Sequence, residues 1–256
     1  MPVPPTADPP PVTVSIVSHG QQALIGPLLD DLDRFCAGVV GKVVLTVNIP
    51  EPEALAGRTW RFPVERIANA TPKGFGANHN QAFAHCATPW FLVLNPDIRL
   101  DGDVLSPLLA LAQERTGLLA PRILEPGRTA PEPHRRLITP REILARRKPG
   151  YTAPAVPDWI PGLFMLLRSP AYADVRGFDE RFFMYGEDFD LCARLRLAGW
   201  SIRIGEDLLA RHEAQRASRR SLRHLQWHVG SLLRVWSSGA FRRYRRLLAR
   251  ENSAQQ

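Results

Sequence analysis

The chain has 256 residues, of which 45% are hydrophobic and 23% charged, an ordinary composition for a globular protein with a sizeable core. Its 33 Lys and Arg residues exceed its 25 Asp and Glu residues, which gives a formal net charge of +8. That balance suits an anionic partner, whether a nucleotide, a nucleic acid or an acidic membrane, and does not choose among them. No apolar run approaches the ~18 residues that a membrane-spanning helix needs, so we expect a protein that is soluble or lies on a membrane.

The cysteines fit a reducing cytoplasm, and the first residues do not have the pattern of a signal peptide. Cys36, Cys86 and Cys192 are far apart and form no CxxC pair, which argues against a zinc or disulfide framework. The opening MPVPPTADPPPV has no basic segment followed by an apolar one and therefore does not resemble a signal peptide. Its prolines predict an extended, disordered lead-in over residues 1–11.

Strands and helices are predicted to alternate in the first half of the chain. The predicted elements are a strand at 12–17, a helix at 22–36, strands at 42–48 and 61–68, a Gly/Asn loop leading into a helix within 71–86, a buried strand within 90–100, a helix at about 103–115 and a strand at 118–124. This alternation predicts an α/β fold with a mainly parallel sheet flanked by helices. Ligands of such sheets bind at the carboxyl ends of the strands, where the polar turns SHG, NIPE and NPD fall.

The second half of the chain is less regular. Residues 125–158 are rich in Pro and Arg and lack clear periodicity, which predicts a loop-rich insert. A strand is predicted at 159–168, a helix at 187–200, and a short strand followed by a loop within 201–213. Residues 221–250 predict one or two basic amphipathic helices.

Three carboxylates fall within four positions, at Glu187, Asp188 and Asp190, between aromatic residues and an apolar helical pattern. Acids this close repel one another, and burying an unpaired acid is costly. The helix dipole favours acids in a first turn, and this explains Asp190 well, since it lies one turn before Arg194. Glu187 and Asp188 fall towards the buried side, where a carboxyl tends to have a raised pKa and suits general-base catalysis. Both explanations stand for this pair.

Three other stretches carry groups suited to a phosphate or a cation. Asp97 ends a buried strand, where one carboxylate can hold a divalent cation, although Asn-Pro-Asp is also good turn chemistry. In KGFGANHN, Gly74 and Gly76 allow close backbone approach before a helix N-terminus, although a simple glycine turn has the same pattern. Asn78 adds a donor and an acceptor there. His212 is a metal-ligand candidate only if Asp97 is one too.

In their order along the chain, these pieces resemble the family 2 glycosyltransferases of the GT-A fold, and most nearly the bacterial rhamnosyltransferase-like members. The resemblance covers residues 12–215 and is most specific in GFDERFFMYGEDFDLCARLRLAGW, with KGFGANHN and LNPDIRL in support. It implies a Rossmann-like GT-A domain with a nucleotide-binding half at 12–124 and an acceptor half at 125–215, followed by a basic helical tail at 216–256.

The resemblance also implies an activity. We expect an inverting glycosyltransferase of the hexosyltransferase type that uses Mg²⁺ or Mn²⁺. The expected donor is a nucleotide diphosphate sugar, a deoxyhexose such as rhamnose on dTDP or UDP, and the expected acceptor is a hydroxyl of a lipid-linked saccharide. The product would serve cell-surface polysaccharide or glycolipid synthesis, and the enzyme would be cytoplasmic, peripheral on the inner face of the plasma membrane.

Residue roles follow from the same resemblance. Asp188 is the expected catalytic base, with Glu187 supporting it or contacting the acceptor, and Asp97 and His212 are the expected metal ligands. The expected donor-binding residues are His19, Asn48, Gly74, Gly76, Asn78 and Asn95. Many members carry an aromatic-Asn pair after the first strand and an Asp-Asn pair after the second. Here SHG stands at the first place and Val47 precedes Asn48 at the second, so base and ribose recognition are expected to differ.

The C-terminal region is strongly basic. From Arg211 to Arg250 it contains eleven arginines and one acid, Glu213, with hydrophobic residues interleaved. This pattern favours an amphipathic helix on an anionic membrane surface. A solvated helix packed on the domain also explains it.

Three other functions compete with glycosyl transfer. A basic nucleic-acid-binding domain would suit the net charge, but no helix-turn-helix, RRM or zinc pattern is present, and we expect no nucleic-acid partner. A nucleotidyltransferase also uses an α/β fold with acids and a metal, but its usual Gly-rich, Lys-containing N-terminal loop is missing. A catalytically inactive GT-A-like binding module is the third, and the intact Glu187-Asp188 pair and NPD turn argue against it.

Overall fold

The computed structural model describes residues 10–53, 55–213 and 222–254, without the side chains of 222–225 and 254. The predicted disordered lead-in lies outside these residues, apart from Pro10 and Pro11. So do Arg216, Arg219 and Arg220 of the basic tail.

Strands and helices alternate along the described residues. The strands are β1 (Val12–Ser18), β2 (Val40–Val47), β3 (Val64–Ala68), β4 (Trp90–Leu94), β5 (Ile98–Arg99), β6 (Thr116–Leu124), β7 (Phe164–Arg168) and β8 (Ser201–His212). The helices are α1 (Gln22–Cys36), α2 (Phe75–Phe83), α3 (Leu105–Ala110), α4 (Pro140–Ala145), α5 (Ser169–Asp174), α6 (Glu187–Leu197), α7 (Leu222–Ser237) and α8 (Gly239–Ala254).

The strands form one mixed sheet in the order β3-β2-β1-β4-β7-β6-β8-β5. β1 pairs in parallel with β2 and β4, β2 with β3, and β6 with β8. β7 runs antiparallel to both of its neighbours, and β5 runs antiparallel to β8. Six strands therefore share one direction and end at the same edge of the sheet, where β7 begins. The predicted α/β class is confirmed.

Both faces of the sheet are covered by hydrophobic cores, because side chains of a strand point alternately to its two faces. In β4, Leu92 and Leu94 pack in the cluster that includes α1 and α3. Phe91 and Val93 pack in the opposite cluster, with α2, α5, α6 and α8. This double coverage explains why the central strands read as nearly continuous apolar runs.

The C-terminal strand corrects one expectation. The sequence predicts a short strand and a loop within 201–213, but β8 continues to His212. Its pairing with β6 shifts register after the Pro121–Gly205 pair and resumes at Arg122–Leu209. Residues 206–208 of β8 have no partner in β6 and form an irregularity within one longer strand. The extension brings His212 to the sheet edge where the other strands end.

Three short helices differ from the prediction in extent or went unrecognised, and one of them, α5, directly follows β7 where no helix was predicted. α3 is shorter than the helix predicted at about 103–115. α4 lies inside the predicted loop-rich insert, where Thr139 accepts a hydrogen bond from the backbone N–H of Glu142 and Pro140 occupies the first turn. The sequence TPRE contains this capping signal. The helix was not predicted because its six residues are too few to show a helical periodicity.

The predicted amphipathic helices of the tail are confirmed as α7 and α8. Phe241 and Tyr244 of α8 are buried, with ring centroids 5.9 and 6.2 Å from that of Phe189 in α6. Val235 of α7 is buried in the same cluster. One face of each helix therefore packs on the domain. Within the described ranges, no helix is long and apolar enough to cross a membrane.

Arg194 joins α6 to the segment after α5, and the predicted pair with Asp190 is confirmed. Its Nε lies 2.6 Å from Asp190 Oδ2, and its Nη1 donates to the carbonyls of Val175 and Gly177 at 2.6 and 2.7 Å. Burial raises the pKa of the Asp190 carboxyl, and the charge of Arg194 opposes that rise.

Replacing Arg194 with methionine should leave the buried Asp190 without its charged partner. We expect Arg194→Met to lower the free energy of unfolding by about 3 kcal/mol, measured by urea denaturation near neutral pH. Adding Asp190→Asn should recover part of this loss. An unchanged denaturation midpoint in the single variant would contradict the role of the pair.

Candidate active site

Polar residues gather where the strands end. They are His19 after β1, Asn48 after β2, Asn69 after β3, Asn95 and Asp97 after β4, Glu125 after β6, and His212 at the end of β8. Ligands of open α/β sheets bind outside this edge. The sequence reasoning named all of them except Asn69 and Glu125, although each is the first residue beyond a predicted strand.

Asn48 ties together the loops that follow three strands. Its Nδ2 lies 3.0 Å from His19 Nδ1 and donates to the Lys73 carbonyl at 3.0 Å. Its Oδ1 accepts from the Lys73 backbone N–H at 2.8 Å and from Asn69 Nδ2 at 2.9 Å. The buried Asn48 thereby fixes the shape of this end of the edge, while His19 stays exposed.

Asn78 lies beneath the glycine loop that precedes α2. Its Oδ1 accepts from Asn69 Nδ2 at 2.6 Å, and its Nδ2 donates to the Gly74 carbonyl at 3.0 Å. The side chain is buried. Its visible contacts therefore support the loop from within the protein.

Gly74 and Gly76 are required by close contacts with the chain itself. A Cβ on Gly74 would lie 2.7 Å from the Phe183 carbonyl oxygen, which accepts a hydrogen bond from the Phe75 N–H at 2.9 Å. A Cβ on Gly76 would lie 2.5 Å from the Phe178 Cβ. Both glycines let the segment that leads to α6 lie against the start of α2.

Asp97 and His212 meet at the edge although 115 positions separate them in sequence. Asp97 Oδ2 lies 3.1 Å from His212 Nε2, and Glu125 Oε1 lies 2.7 Å from His212 Nδ1. Burial lowers the pKa of the imidazole, but the hydrogen bonds and charges of Asp97 and Glu125 outweigh burial and raise it to about 9. The ring is thus cationic near neutral pH and balances two carboxylates.

The residues present fit a divalent cation with few protein ligands. Asp97 Oδ1 is buried and has no hydrogen-bond partner, which is costly for a carboxylate oxygen. A cation could bind that oxygen, and by displacing the proton of His212 Nε2 it could take the imidazole as a second ligand. Across the ranges that the structure describes, no group of three or more His, Cys, Asp or Glu side chains is arranged to hold an ion. Two protein ligands supplemented by phosphate oxygens are typical for Mg²⁺.

The acid pair begins α6 after an unusual turn. Tyr185 and Gly186 both have positive φ, 72° and 85°, and the non-glycine residue is strained there. Asp188 Oδ1 accepts from the Phe189 N–H at 2.7 Å, and Oδ2 accepts from the Gly162 N–H at 3.2 Å. Glu187 is buried, and its Oε2 has no hydrogen-bond partner.

Both carboxyls of the pair resist ionisation. Burial, and then the charge of Asp188, raise the pKa of Glu187 to about 8. Burial also raises the pKa of Asp188, against the Phe189 N–H, the charge of Arg135 and the Gly162 N–H. Such a pair can hold and release a proton near neutral pH.

A short segment before β7 connects the acid pair with the NPD turn. Gly162 donates to Asp188, and the carbonyl of the next residue, Leu163, accepts from the Asn95 N–H at 3.0 Å. The Asp188 carboxylate from α6 and the polar turn after β4 are therefore bonded to consecutive residues. The structure brings these two sequence-predicted groups to one place.

Comparisons with known proteins agree with this geometry. The chain matches the family model "Glycosyl transferase family 2" over residues 53–173. It is 27% identical over 244 residues to rhamnosyltransferase WbbL of Escherichia coli K12, covering 87% of this chain and 91% of that protein. It is 31% identical over 159 residues to the N-acetylglucosaminyl-diphospho-decaprenol L-rhamnosyltransferase of Mycobacterium tuberculosis, covering 54% of this chain and 52% of that protein.

Solved structures with the same fold include GalNAc-T7 with UDP, GalNAc and Mn²⁺, with a TM-score of 0.64, 13% identity, and coverage of 81% of this chain and 44% of that one. Another is the mannosyltransferase PcManGT of Pyrobaculum calidifontis with GDP-Man and Mn²⁺. Its TM-score is 0.63 at 16% identity, and the match covers 89% of this chain and 65% of that one. The fold is that of the GT-A glycosyltransferases. Residues 53–173 therefore match glycosyltransferase family 2, and the chain is similar to bacterial rhamnosyltransferases.

The raised pKa of Glu187 makes the stability of the protein depend on pH. Between the ordinary value of 4.5 and about 8, the folded protein holds a proton that the unfolded chain has released. Stability therefore falls as the pH rises through this window. Glu187→Gln removes that loss, so its free energy of unfolding should rise relative to wild type by roughly 1–3 kcal/mol.

Urea denaturation at several pH values across this window, and above it, measures the difference. The exposed Glu114→Gln variant is the matched control and should track wild type at every pH. A Glu187→Gln difference that stays constant with pH would show that the carboxyl ionises normally in the folded protein.

Proposed function

We propose that the protein is an inverting, metal-dependent glycosyltransferase that moves a sugar from a nucleoside diphosphate to an acceptor hydroxyl. One observation carries this proposal. The Asp97–His212 pair and the Glu187–Asp188 pair, of which Glu187 is buried, lie at the same sheet edge, linked through residues 162–163. Charge stabilisation for a leaving diphosphate and a base for an incoming hydroxyl are the two functions that such a transfer requires.

The two halves of the chain would divide the substrates between them. Residues 12–124 contribute His19, Asn48 and Asp97 and would bind the nucleotide, and residues 125–215 contribute the acid pair and would bind the acceptor. Similarity to two bacterial rhamnosyltransferases supports a deoxyhexose donor such as rhamnose, carried on dTDP or UDP. The loops that Asn48 fixes would receive the nucleoside.

The leaving diphosphate would lie beside Asp97. Bound Mg²⁺ or Mn²⁺ would supply Lewis-acid stabilisation of the negative charge that develops there. Asp97 Oδ1 is the unpartnered oxygen available to hold it. Glu125, at 2.7 Å from Nδ1, orients the His212 ring so that Nε2 points to Asp97.

Asp188 would accept the proton of the acceptor hydroxyl. Two backbone N–H groups each donate to one of its oxygens and fix its orientation, while burial outweighs them and the charge of Arg135 and keeps its basicity high. The hydroxyl oxygen bonds to the anomeric carbon as the bond to the diphosphate breaks on the opposite face, which inverts the configuration. Glu187, with a pKa of about 8, is protonated near neutrality and would donate a hydrogen bond to the acceptor.

A lipid-linked saccharide is the proposed acceptor. The name of the Mycobacterium tuberculosis relative specifies an N-acetylglucosaminyl-diphospho-decaprenol, which supports a lipid diphosphate carrier. The enzyme would then work at the cytoplasmic face of the plasma membrane, in the synthesis of cell-surface polysaccharide or glycolipid.

Nucleotide binding should depend on Asp97. We expect dTDP, UDP or GDP, at about 100-fold over its dissociation constant and with Mn²⁺, to raise the melting temperature by roughly 5 °C. The rise should disappear in Asp97→Ala and without metal, because the diphosphate would lose its cation. Differential scanning fluorimetry measures it, and Asp101→Ala, an exposed acid paired with Arg211, is the matched control. Equal shifts in both variants would remove Asp97 from the donor site.

Transfer should depend on Asp188. Asp188→Asn should lower kcat by about 10²–10⁴-fold while leaving the nucleotide-induced melting shift intact, because the base acts on the acceptor. The assay follows release of nucleoside diphosphate, with the exposed Glu180→Gln as control. Wild-type turnover by Asp188→Asn would assign the base elsewhere, and release of pyrophosphate would indicate nucleotidyl transfer instead.

A further inference from the structure

Exposed hydrophobic side chains are concentrated on one part of the protein. Among the described residues, the large exposed ones are Leu144, Val156, Phe183, Leu209, Val229 and Leu233. All but Leu209 lie on α4, on the segment that follows α4, on the turn before α6, or on α7. Scattered exposed leucines are ordinary on a protein surface, but a group on adjoining elements indicates an interaction site.

Specific contacts make these elements neighbours. Trp236 of α7 donates its Nε1–H to the Ile138 carbonyl at 2.7 Å, just before α4 begins. Phe183 packs against Trp227 of α7, with ring centroids 5.0 Å apart. Val156 lines a surface cleft together with Tyr244 of α8. Phe183 and Val156 therefore lie beside the two C-terminal helices, and the segment that leads into α4 contacts α7.

α7 has two faces with different contacts. On its inner face, Ser231 donates to the Met184 carbonyl at 2.9 Å, and Val235 is buried against the turn that leads to Glu187. On its outer face, Val229 and Leu233 lie one turn apart and are 50% and 59% exposed. A helix that only packed on the domain would not need this second apolar stripe.

The surroundings of these side chains are strongly basic. The exposed cationic residues on α4, the segment after it and α8 are Arg141, Arg147, Lys148, Arg242, Arg243, Arg245, Arg246 and Arg250. Between Leu222 and Ala254 the sequence contains one acid, Glu251, and it pairs with Arg196 at 2.7 Å. We call the exposed faces of α4, α7 and α8 the basic apolar surface.

We propose that the basic apolar surface docks on an anionic membrane. Leu144, Val229 and Leu233 would enter the headgroup region, and the surrounding arginines would bind lipid phosphates. A second copy of the chain would bring the same positive charge and be repelled. A nucleic acid would match the arginines but would leave the exposed aliphatic side chains in water.

Docking would place a lipid-linked acceptor next to the catalytic acids, because the inner face of α7 contacts the turn before Glu187. This orientation rests on the proposed function. The docking does not, and vesicle binding tests it in the absence of any nucleotide sugar.

Co-sedimentation of the full chain with phosphatidylcholine vesicles, with and without phosphatidylglycerol, is the test. Wild type should sediment only with the anionic vesicles. The first variant removes four charges from α8, Arg242→Gln, Arg243→Gln, Arg245→Gln and Arg246→Gln. Its matched control removes four exposed arginines outside this surface, Arg34→Gln, Arg61→Gln, Arg66→Gln and Arg128→Gln.

The α8 variant should bind at least ~10-fold more weakly than its control, since each basic residue near an anionic surface adds to the affinity. A second variant, Val229→Ser with Leu233→Ser, should also bind more weakly while keeping the wild-type melting temperature, because both side chains are exposed. Equal binding by the α8 variant and its control would overturn the proposal. The proposal would also be overturned if wild type did not bind anionic vesicles. Binding of duplex DNA instead of vesicles, or self-association through this surface, would overturn it as well.

Discussion

The hydrogen bond from the Gly162 N–H to Asp188 joins the two halves of the site. It fixes the start of α6 against the segment before β7, and the next residue of that segment receives the N–H of Asn95. This contact adds a direct link between the acid pair and the turn that carries Asp97, beside the packing of α6 and β4 in one core cluster. Backbone groups at a strand boundary thus help to fix the distance between the acid pair and the NPD turn.

The two groups of acidic residues at the site, Asp97 with Glu125 and Glu187 with Asp188, differ in how their negative charge is compensated. Asp97 and Glu125 share a cationic His212, whose pKa is raised to about 9 against the effect of burial. Glu187 and Asp188 form no ion pair with any residue that the structure describes, and burial raises their pKa values, for Asp188 against the charge of Arg135. The first arrangement stabilises negative charge and suits a site for phosphate and metal. The second arrangement favours the protonated form of Glu187, so the free energy of unfolding falls as the pH rises. It also provides a carboxyl group that can take up a proton near neutral pH.

The C-terminal helices link the site to a surface. The inner face of α7 supports the strained turn at Tyr185 and Gly186, while its outer face carries exposed Val229 and Leu233. From the sequence, two explanations were open for this basic region, packing on the domain and binding to a membrane, and at first sight they exclude each other. An amphipathic helix with two apolar stripes allows both, because one stripe faces the core and the other faces outward.

Much of this protein was predictable from local patterns. Alternating apolar segments predicted the α/β sheet, and polar residues beyond strands marked the edge of the site, because strand ends and helix starts depend on neighbouring residues. The i,i+4 pair of Asp190 and Arg194 was predictable for the same reason. The full length of β8, the meeting of Asp97 with His212, and the part played by Glu125 were decided by tertiary structure. Each depends on pairing between segments far apart in sequence, and the burial that raises the pKa of Glu187 arises only when those segments pack.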